Sequence, residues 1–278
     1  MSQLIHLKQR IKTIGAIRKI TQTMRLISMS SHSKLKKQTE NMLRFRNEVR
    51  PLLCALSQNN PKEELQHPPK FKTLYILFAA EKGLCGTFNT NMFAYFHKHL
   101  THEKLENSHI ITVGKKASEY LKQIQVKPLY EFDKAMPNQL EKIAQDIYER
   151  VIHIHKHYEY VICMYSFPKT FFTQEAETVQ IIPIQDDPCD IETKITLDEY
   201  EWHQNHKDVT KAMFQILLKT NILLVLSSSM LSEQSARFLS MDNATRSAET
   251  LLKEMKLALN KLRQAKITRE LIELISSF

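Results

Sequence analysis

Leu4, Leu7, Ile11 and Ile14 alternate spacings of three and four residues, the interval of a coiled-coil seam. The apolar positions then move to Ile17, Ile20, Met24, Ile27, Ser31 and Leu35, and continue through Met42, Phe45, Val49, Leu52 and Leu56. The pattern predicts one helix over residues 3–57 whose stripe changes phase after Ile14, which locally alters supercoiling. Gly15 inside the stripe predicts a close approach of a second backbone. Pro51 predicts a bend or a stop near the helix end. At about 1.5 Å per residue the helix spans roughly 80 Å, too long for an ordinary globular core.

Residues 58–70 are polar and rich in proline, the texture of a linker. The middle of the chain changes period. Thr73–Ala80 reads as a buried strand, followed by a helix from Thr90 to Leu105 and a strand over His109–Val113. Gly114 turns the chain into a helix over Lys115–Ile124. A short strand near Val126–Tyr130, a helix from Pro137 to His157 and strands at Tyr160–Tyr165 and Thr178–Ile184 complete the segment. Strands alternating with helices predict a small α/β (Rossmann-like) domain with a largely parallel sheet over residues 70–195. Residues 186–205 are acidic and polar.

From residue 206 to about 274 the helical period returns. Leu217, Leu224, Leu231, Phe238, Thr245, Leu252 and Leu259 recur every seventh residue, with Met241, Ala248, Met255 and Leu262 in companion positions. Ser227, Gln234 and Thr245 interrupt this seam with polar groups. Neither long helix can hide its stripe alone. The simplest burial is an antiparallel two-helix coiled coil made by residues 1–57 and 206–278, bracketing the α/β domain. Ile11–Met24 is then expected to face the C-terminal third of the chain.

Composition narrows the picture. Four glycines in 278 residues favour long helices with few tight loops. The net charge is +9, and the first fifty residues carry twelve Lys or Arg against Glu40 and Glu48. Such a helix calls for an acidic partner: nucleic acid, an anionic membrane surface or acidic protein loops. Cys54, Cys85, Cys163 and Cys189 lie far apart with no CxxC pair, so they predict free thiols rather than a zinc site or a disulfide framework. No apolar run approaches the about 18 residues of a membrane span. The N-terminus lacks a signal peptide's apolar stretch and reads as mature protein.

Candidate chemistry is sparse. Gly83-Leu-Cys-Gly86 sits between a strand and a helix, where phosphate-binding loops occur, but matches neither GxxxxGK[ST] nor GxGxxG. A tight turn is the plainer reading. Glu149, His153 and His157 share a helix face at four-residue spacing, without the HExxH zinc pattern, and read as a solvated helix end. No catalytic, cofactor-binding or metal-binding residue is assigned.

The remaining motifs form a set. Lys8-Gln-Arg-Ile-Lys-Thr-Ile14 with Lys19-Ile-Thr-Gln-Thr-Met24 resembles the opening helix of F-type ATP synthase gamma subunits. Glu81-Lys-Gly-Leu-Cys-Gly-Thr-Phe-Asn89 resembles that family's glycine turn. Ser232-Glu-Gln-Ser-Ala-Arg237, Met241-Asp-Asn-Ala-Thr245, Asn260-Lys-Leu-Arg-Gln-Ala265 and Ile267-Thr-Arg-Glu270 resemble its closing helix. The order and spacing of these segments are the family's own.

The resemblance implies a rotor shaft without catalytic activity. Its coiled coil would sit within a head of alpha and beta subunits, and its α/β domain beside the epsilon subunit and the membrane c-ring. It implies a peripheral position on the cytoplasmic side of a bacterial inner membrane, with no nucleic acid bound. Met24, Arg237, Arg263, Gln264, Thr268 and Glu270 match positions resembling the family's shaft-to-head contacts. Lys8, Arg10, Lys12, Arg18 and Lys19 are candidates for acidic beta-subunit loops, on charge and position. The chain departs from the pattern at Arg25–Ser33, at Thr87 and at its end, Ser277-Phe278. Those departures admit a divergent gamma paralogue with a structural or regulatory role. A basic coiled-coil nucleic-acid binder, marked by steep salt dependence, and a nucleotide-binding α/β enzyme are the rivals from other classes.

Overall fold

The computed structural model describes residues 2–58, 71–100, 108–183 and 206–277. Helix α1 runs over Ser2–Gln58 with Pro51 inside it, so the proline does not end the helix. Strand β1 (Phe71–Phe78), helix α2 (Phe88–His99), strand β2 (Ser108–Val113), helix α3 (Lys115–Gln123) and strand β3 (Tyr130–Phe132) follow. Then come helix α4 (Leu140–Ile154), flanked by single 3₁₀ turns, strands β4 (Tyr158–Pro168) and β5 (Gln174–Ile182), and helix α5 (His206–Ser276). The third strand starts later than its composition suggests. Gln125 has φ 59°, and the Val126 amide bonds back to the Leu121 carbonyl. The helix end therefore wraps over residues that would otherwise extend.

The chain forms two compact units, Met1–Ser30 with Arg237–Phe278 and Ser31–Ala236. The second unit holds the five-stranded sheet, in the order β3-β2-β1-β4-β5. β1 is parallel to β2 and β4, and β2 to β3. Only β5 is antiparallel, returning along β4 through a short hairpin. Side chains alternate across the sheet. Leu74, Ile76, Phe78, Val161 and Cys163 point to one face, where Ile143, Ala144 and Ile147 of α4, Leu35 of α1 and Leu218, Ile222, Val225 and Leu226 of α5 cover them. Leu77, Ile110 and Met164 point to the other face and pack on Met92 and Phe96 of α2 and Ala117 and Leu121 of α3. Burial in this core pushes the Cys163 thiol well above the usual thiol range.

The apolar stretch of α5 is longer and richer than a reading of uninterrupted runs suggests. By length and composition alone this helix is apolar enough to cross a membrane. In the fold its residues from Leu217 to Leu231 supply core to the sheet unit. Within the same unit Thr39 Oγ1 of α1 and Ser227 Oγ of α5 lie 2.5 Å apart, so the polar interruption at Ser227 is satisfied across the helix pair.

His32 is buried on α1, its ring edge-on to Phe171 of the β4–β5 hairpin with centroids 4.9 Å apart. Burial, and then the neighbouring Lys36 charge, hold its pKa below the ordinary imidazole value. The folded chain thus binds a proton at His32 less readily than the unfolded chain does. His32 costs nothing at neutral and alkaline pH. As pH falls through the unfolded value of about 6.5, stability is lost until the folded group also protonates. Thermal unfolding of parent and His32→Leu chains between pH 8 and 5 checks this. The parent melting temperature is expected to fall more than the variant's below about pH 6.5; parallel curves would refute it.

Candidate coupling surface on the terminal helices

In the first unit α1 and α5 run antiparallel. Thr21 meets Thr245, with 2.8 Å between the hydroxyl oxygens, and one turn further Arg25 meets Asp242. The stretch Ile11–Met24 does pair with the C-terminal third of the chain. The buried and half-buried positions of α1 in this unit are Leu4, Leu7, Ile11, Ile14, Arg18, Thr21, Arg25 and Ser28, with Met24 and Gly15 beside them. These eight keep one unbroken heptad spacing. The expected phase shift is therefore absent: Ile17 is 46%, Ile20 61% and Ile27 54% exposed. The seam keeps its period and changes its chemistry, taking in Arg18, Thr21, Arg25 and Ser28 while the isoleucines face outward. On α5 the expected seam holds, with Met241, Thr245, Ala248 and Leu252 buried and Phe238, Met255 and Leu259 half-buried. Leu262 is exposed.

Gly15 needs a different explanation from close packing. A Cβ built there meets nothing within 4 Å, so no second backbone approaches it. The structure offers no packing reason for that glycine.

Polar contacts in this seam are direct. Thr21 Oγ1 donates to the Arg18 carbonyl at 3.0 Å. Thr245 Oγ1 lies near both Thr21 Oγ1 and the Met241 carbonyl, at 2.8 and 2.7 Å, so its single proton serves one of them at a time. Asp242 receives Arg25 at 2.6 Å and Arg246 at 2.8 Å. The Arg25 hydrogen bond is the main cause that holds the Asp242 carboxyl below its usual pKa range, against an opposing cost of burial. Sequence reasoning passed over Arg25, Asp242 and Arg246. Extending the Leu4–Ile14 heptad without a phase shift would have placed Arg25 inward.

The basic candidates of the first helix point mostly to solvent. Lys8, Arg10, Lys12 and Lys19 are exposed and make no ion pair among the described residues. Arg18 is half-buried, with Nε buried and unpaired. Of the closing-helix candidates, Arg237 is buried. Arg263, Gln264, Thr268 and Glu270 are exposed. Thr268 Oγ1 donates to the Gln264 carbonyl at 3.0 Å, and Glu270 sits 3.3 Å from Lys266. The same end of α5 exposes Leu271, Ile272, Leu274 and Ile275, leaving apolar and charged groups side by side on a helix end uncovered by the other described residues. A shallow cleft between the helices is lined by Gln3, His6, Leu7 and Leu262.

The glycine turn is closed by its own side chains. Leu84 and Gly86 take φ 66° and 57°. Asn89 accepts the Ala80 amide through Oδ1 and donates Nδ2 to Cys85 Sγ. Glu81 Oε2 accepts the amides of Lys115, Lys134 and Ala135 at 3.1, 2.9 and 3.3 Å. The N-terminus of α3, where an anion would be favoured, is thus filled by the chain's own carboxylate. On α4, Gln145 donates to Glu149 and His153 is exposed, while His157 lies beyond the helix in the 3₁₀ turn that follows, also exposed, so the three do not share one helix face. Among the described residues no three of His, Cys, Asp or Glu gather around a common point.

Comparison with known proteins agrees with this architecture. A family model described as ATP synthase matches residues 3–278. The chain is 31% identical over 277 residues to the ATP synthase gamma chain of Clostridium novyi, covering 98% of this chain and 96% of that one. It is 29% identical over 282 residues to the ATP synthase gamma chain of Clostridium beijerinckii, with the same coverage. Among solved structures it resembles a chain of the Euglena gracilis mitochondrial ATP synthase rotor, with TM-score 0.68, 17% identity and coverage of 96% and 99%. It also resembles a chain of the Tetrahymena thermophila mitochondrial ATP synthase central stalk and c-ring, with TM-score 0.57, 20% identity and coverage of 81% and 99%. A family match over nearly the whole chain, on a fold of two terminal helices paired antiparallel and an intervening α/β sheet, makes this chain a member of the ATP synthase gamma-chain family.

Proposed function

We propose that this chain is the central rotor shaft of an F-type ATP synthase, coupling ion-driven rotation of a c-ring to conformational cycling of catalytic beta subunits. It carries no catalytic site of its own. Its partners are the alpha and beta subunits of the head, the epsilon subunit and the c-ring. It works as a peripheral subunit on the cytoplasmic face of a bacterial inner membrane. One observation carries the reading: among the described residues the helix pair leaves basic groups, Lys8, Lys12 and Lys19 on one flank of α1 and Arg10 on the other, and a mixed apolar and charged end, Arg263–Ile275, without a partner elsewhere in the fold. Acidic loops suit the first surface and a close-fitting sleeve suits the second.

Individual roles follow from exposure. Each exposed Lys or Arg contact is worth only about 0–1 kcal/mol, so single neutralisation of Lys8, Arg10, Lys12 or Lys19 is expected to change coupling little; Arg18 lies in the seam instead. Arg263 and Glu270 offer charge-assisted hydrogen bonds to a partner, with Gln264 and Thr268 as neighbouring contacts, while Met24 lies further along the pair, level with Asp242 and Thr245. Arg237 acts from within the fold, holding the helix that presents them.

The test reconstitutes the complex in ion-tight vesicles with this chain as its gamma subunit. Assembled yield, ATP hydrolysis and ion-driven ATP synthesis are measured for the parent, Arg263→Ala and Glu270→Ala. Synthesis per assembled complex is expected to fall about three- to tenfold in either variant, the cost of one lost charge-assisted bond. Parental synthesis in both would remove the coupling role. ATP turnover by the purified chain alone would overturn the non-catalytic reading.

A further inference from the structure

The inward face of α1 in the helix-pair unit is chemically the poorer of two choices. Ser28 is 1% exposed with an unpaired Oγ, and Arg18 Nε is buried without a partner. An unsatisfied buried polar group destabilises a fold. Beside this face, Ile17, Ile20, Met24 and Ile27 form a stripe at three-four-three spacing, its isoleucines open to solvent. Burial of apolar area alone would turn that stripe toward α5. A local change in the winding of α1 after Ile14, turning the following residues by about one residue's step, roughly 100°, would do it and leave Leu4–Ile14 in the seam.

What opposes the rotation is a two-layer polar clasp. Arg25 and Arg246 grip Asp242 at 2.6 and 2.8 Å, with the Asp242 side chain only 15% exposed. Thr21 and Thr245, both buried, close the layer above at 2.8 Å. Rotation would carry Arg25 and Thr21 off the interface and leave Asp242 and Thr245 facing isoleucine. A slip of one heptad would separate Arg25 from Asp242 by roughly 10 Å. Polar residues at seam positions act in this way in coiled coils, selecting register at a cost in stability. We infer that Arg25, Asp242 and Arg246, with Thr21 and Thr245, select which face of α1 is displayed, and so hold Ile17, Ile20 and Ile27 outward. These are positioning residues. Their effect on coupling rests on the shaft reading above; their effect on the helix face does not.

Hydroxyl-radical footprinting of the full chain reads the face directly. Parent, Asp242→Asn, Arg25→Gln and Arg25→Lys chains are oxidised briefly, and side-chain modification is resolved by mass spectrometry at Ile20, Ile27 and Met241. In Asp242→Asn and Arg25→Gln, oxidation of Ile20 and Ile27 is expected to fall about threefold, since these side chains go from mostly exposed to buried. Arg25→Lys, which keeps the charge, is expected to stay near the parent. Unchanged oxidation of Ile20 and Ile27 in both neutral variants would overturn the proposal. A uniform rise at Ile20, Ile27 and Met241 would also overturn it, because the helices would then separate rather than rotate. In the reconstituted complex the two neutral variants are expected to pump fewer ions per ATP hydrolysed, with Arg25→Lys restoring the ratio. Failure of the parent itself to support pumping would reject the shaft reading and leave the footprinting result standing.

Discussion

Replacing Gly114 with alanine is expected to cost the sheet unit about 3–5 kcal/mol. Gly114 joins β2 to α3 with φ +94°, a conformation that strains any residue with a Cβ. An added Cβ would lie 2.1 Å from the Ala79 carbonyl oxygen and 3.0 Å from its carbon. These are backbone atoms at the end of β1, so no rotamer change relieves the overlap. The nearby backbone is also committed: Ala79 donates to Val113, Gly114 to Phe132 and Lys116 to Ala80. Relief requires the end of β1 to part from β2. Urea unfolding followed by far-ultraviolet circular dichroism measures the loss. Gly15→Ala is the control, because its Cβ meets nothing within 4 Å. That substitution is expected to stabilise the helix by about 0.5–1 kcal/mol. A Gly114→Ala chain within about 1 kcal/mol of the parent would mean the strand-to-helix turn is not built this way.

Glu81→Ala is expected to cost about 2–3 kcal/mol, lowering the melting temperature by about 5–10 °C. One carboxylate oxygen gathers the amides of Lys115, Lys134 and Ala135, tying the loop after β1 to the start of α3 and to the loop after β3. Alanine leaves the part-buried Ala135 amide short of an acceptor, while water reaches the more exposed amides of Lys115 and Lys134. Glu81→Gln keeps an acceptor oxygen but not the charge, so about half the loss is expected. Hydrogen exchange locates the effect. Protection should drop at the amides of residues 115, 134 and 135 in Glu81→Ala and drop less in Glu81→Gln. Equal protection at those three amides in parent and Glu81→Ala would show that the carboxylate is not their acceptor.

The sequence already marks Gly114 as the turn into a helix, whereas Glu81 stands beside a motif read for another reason. The glycine turn drew notice as a possible phosphate loop, and its neighbour Glu81 only as part of a family resemblance. The donors that Glu81 satisfies stand 34, 53 and 54 residues further along the chain. Local pattern holds no record of such a partnership. The β-strand periods and their alternation with helices were enough to anticipate a largely parallel sheet. The strand order β3-β2-β1-β4-β5, and the antiparallel return of β5 along β4, became visible only once the strands were paired.

By itself the sequence determined that two long helices flank an α/β segment, because heptad spacing and the two-residue period of strands are written along the chain and depend on no distant contact. It also carried the family, through several short motifs in one order. The tertiary structure alone decided what fills the helix seam between Ile14 and Leu35. Apolar composition favours Ile17, Ile20 and Ile27 there, yet Arg18, Thr21, Arg25 and Ser28 lie inward. The reason is the partner helix. Arg25 has its acid 217 residues away and Thr21 its hydroxyl partner 224 residues away. A side chain's hydrophobicity gives what it gains by burial anywhere; which face is buried depends on the groups waiting opposite, and those are brought there only by the fold.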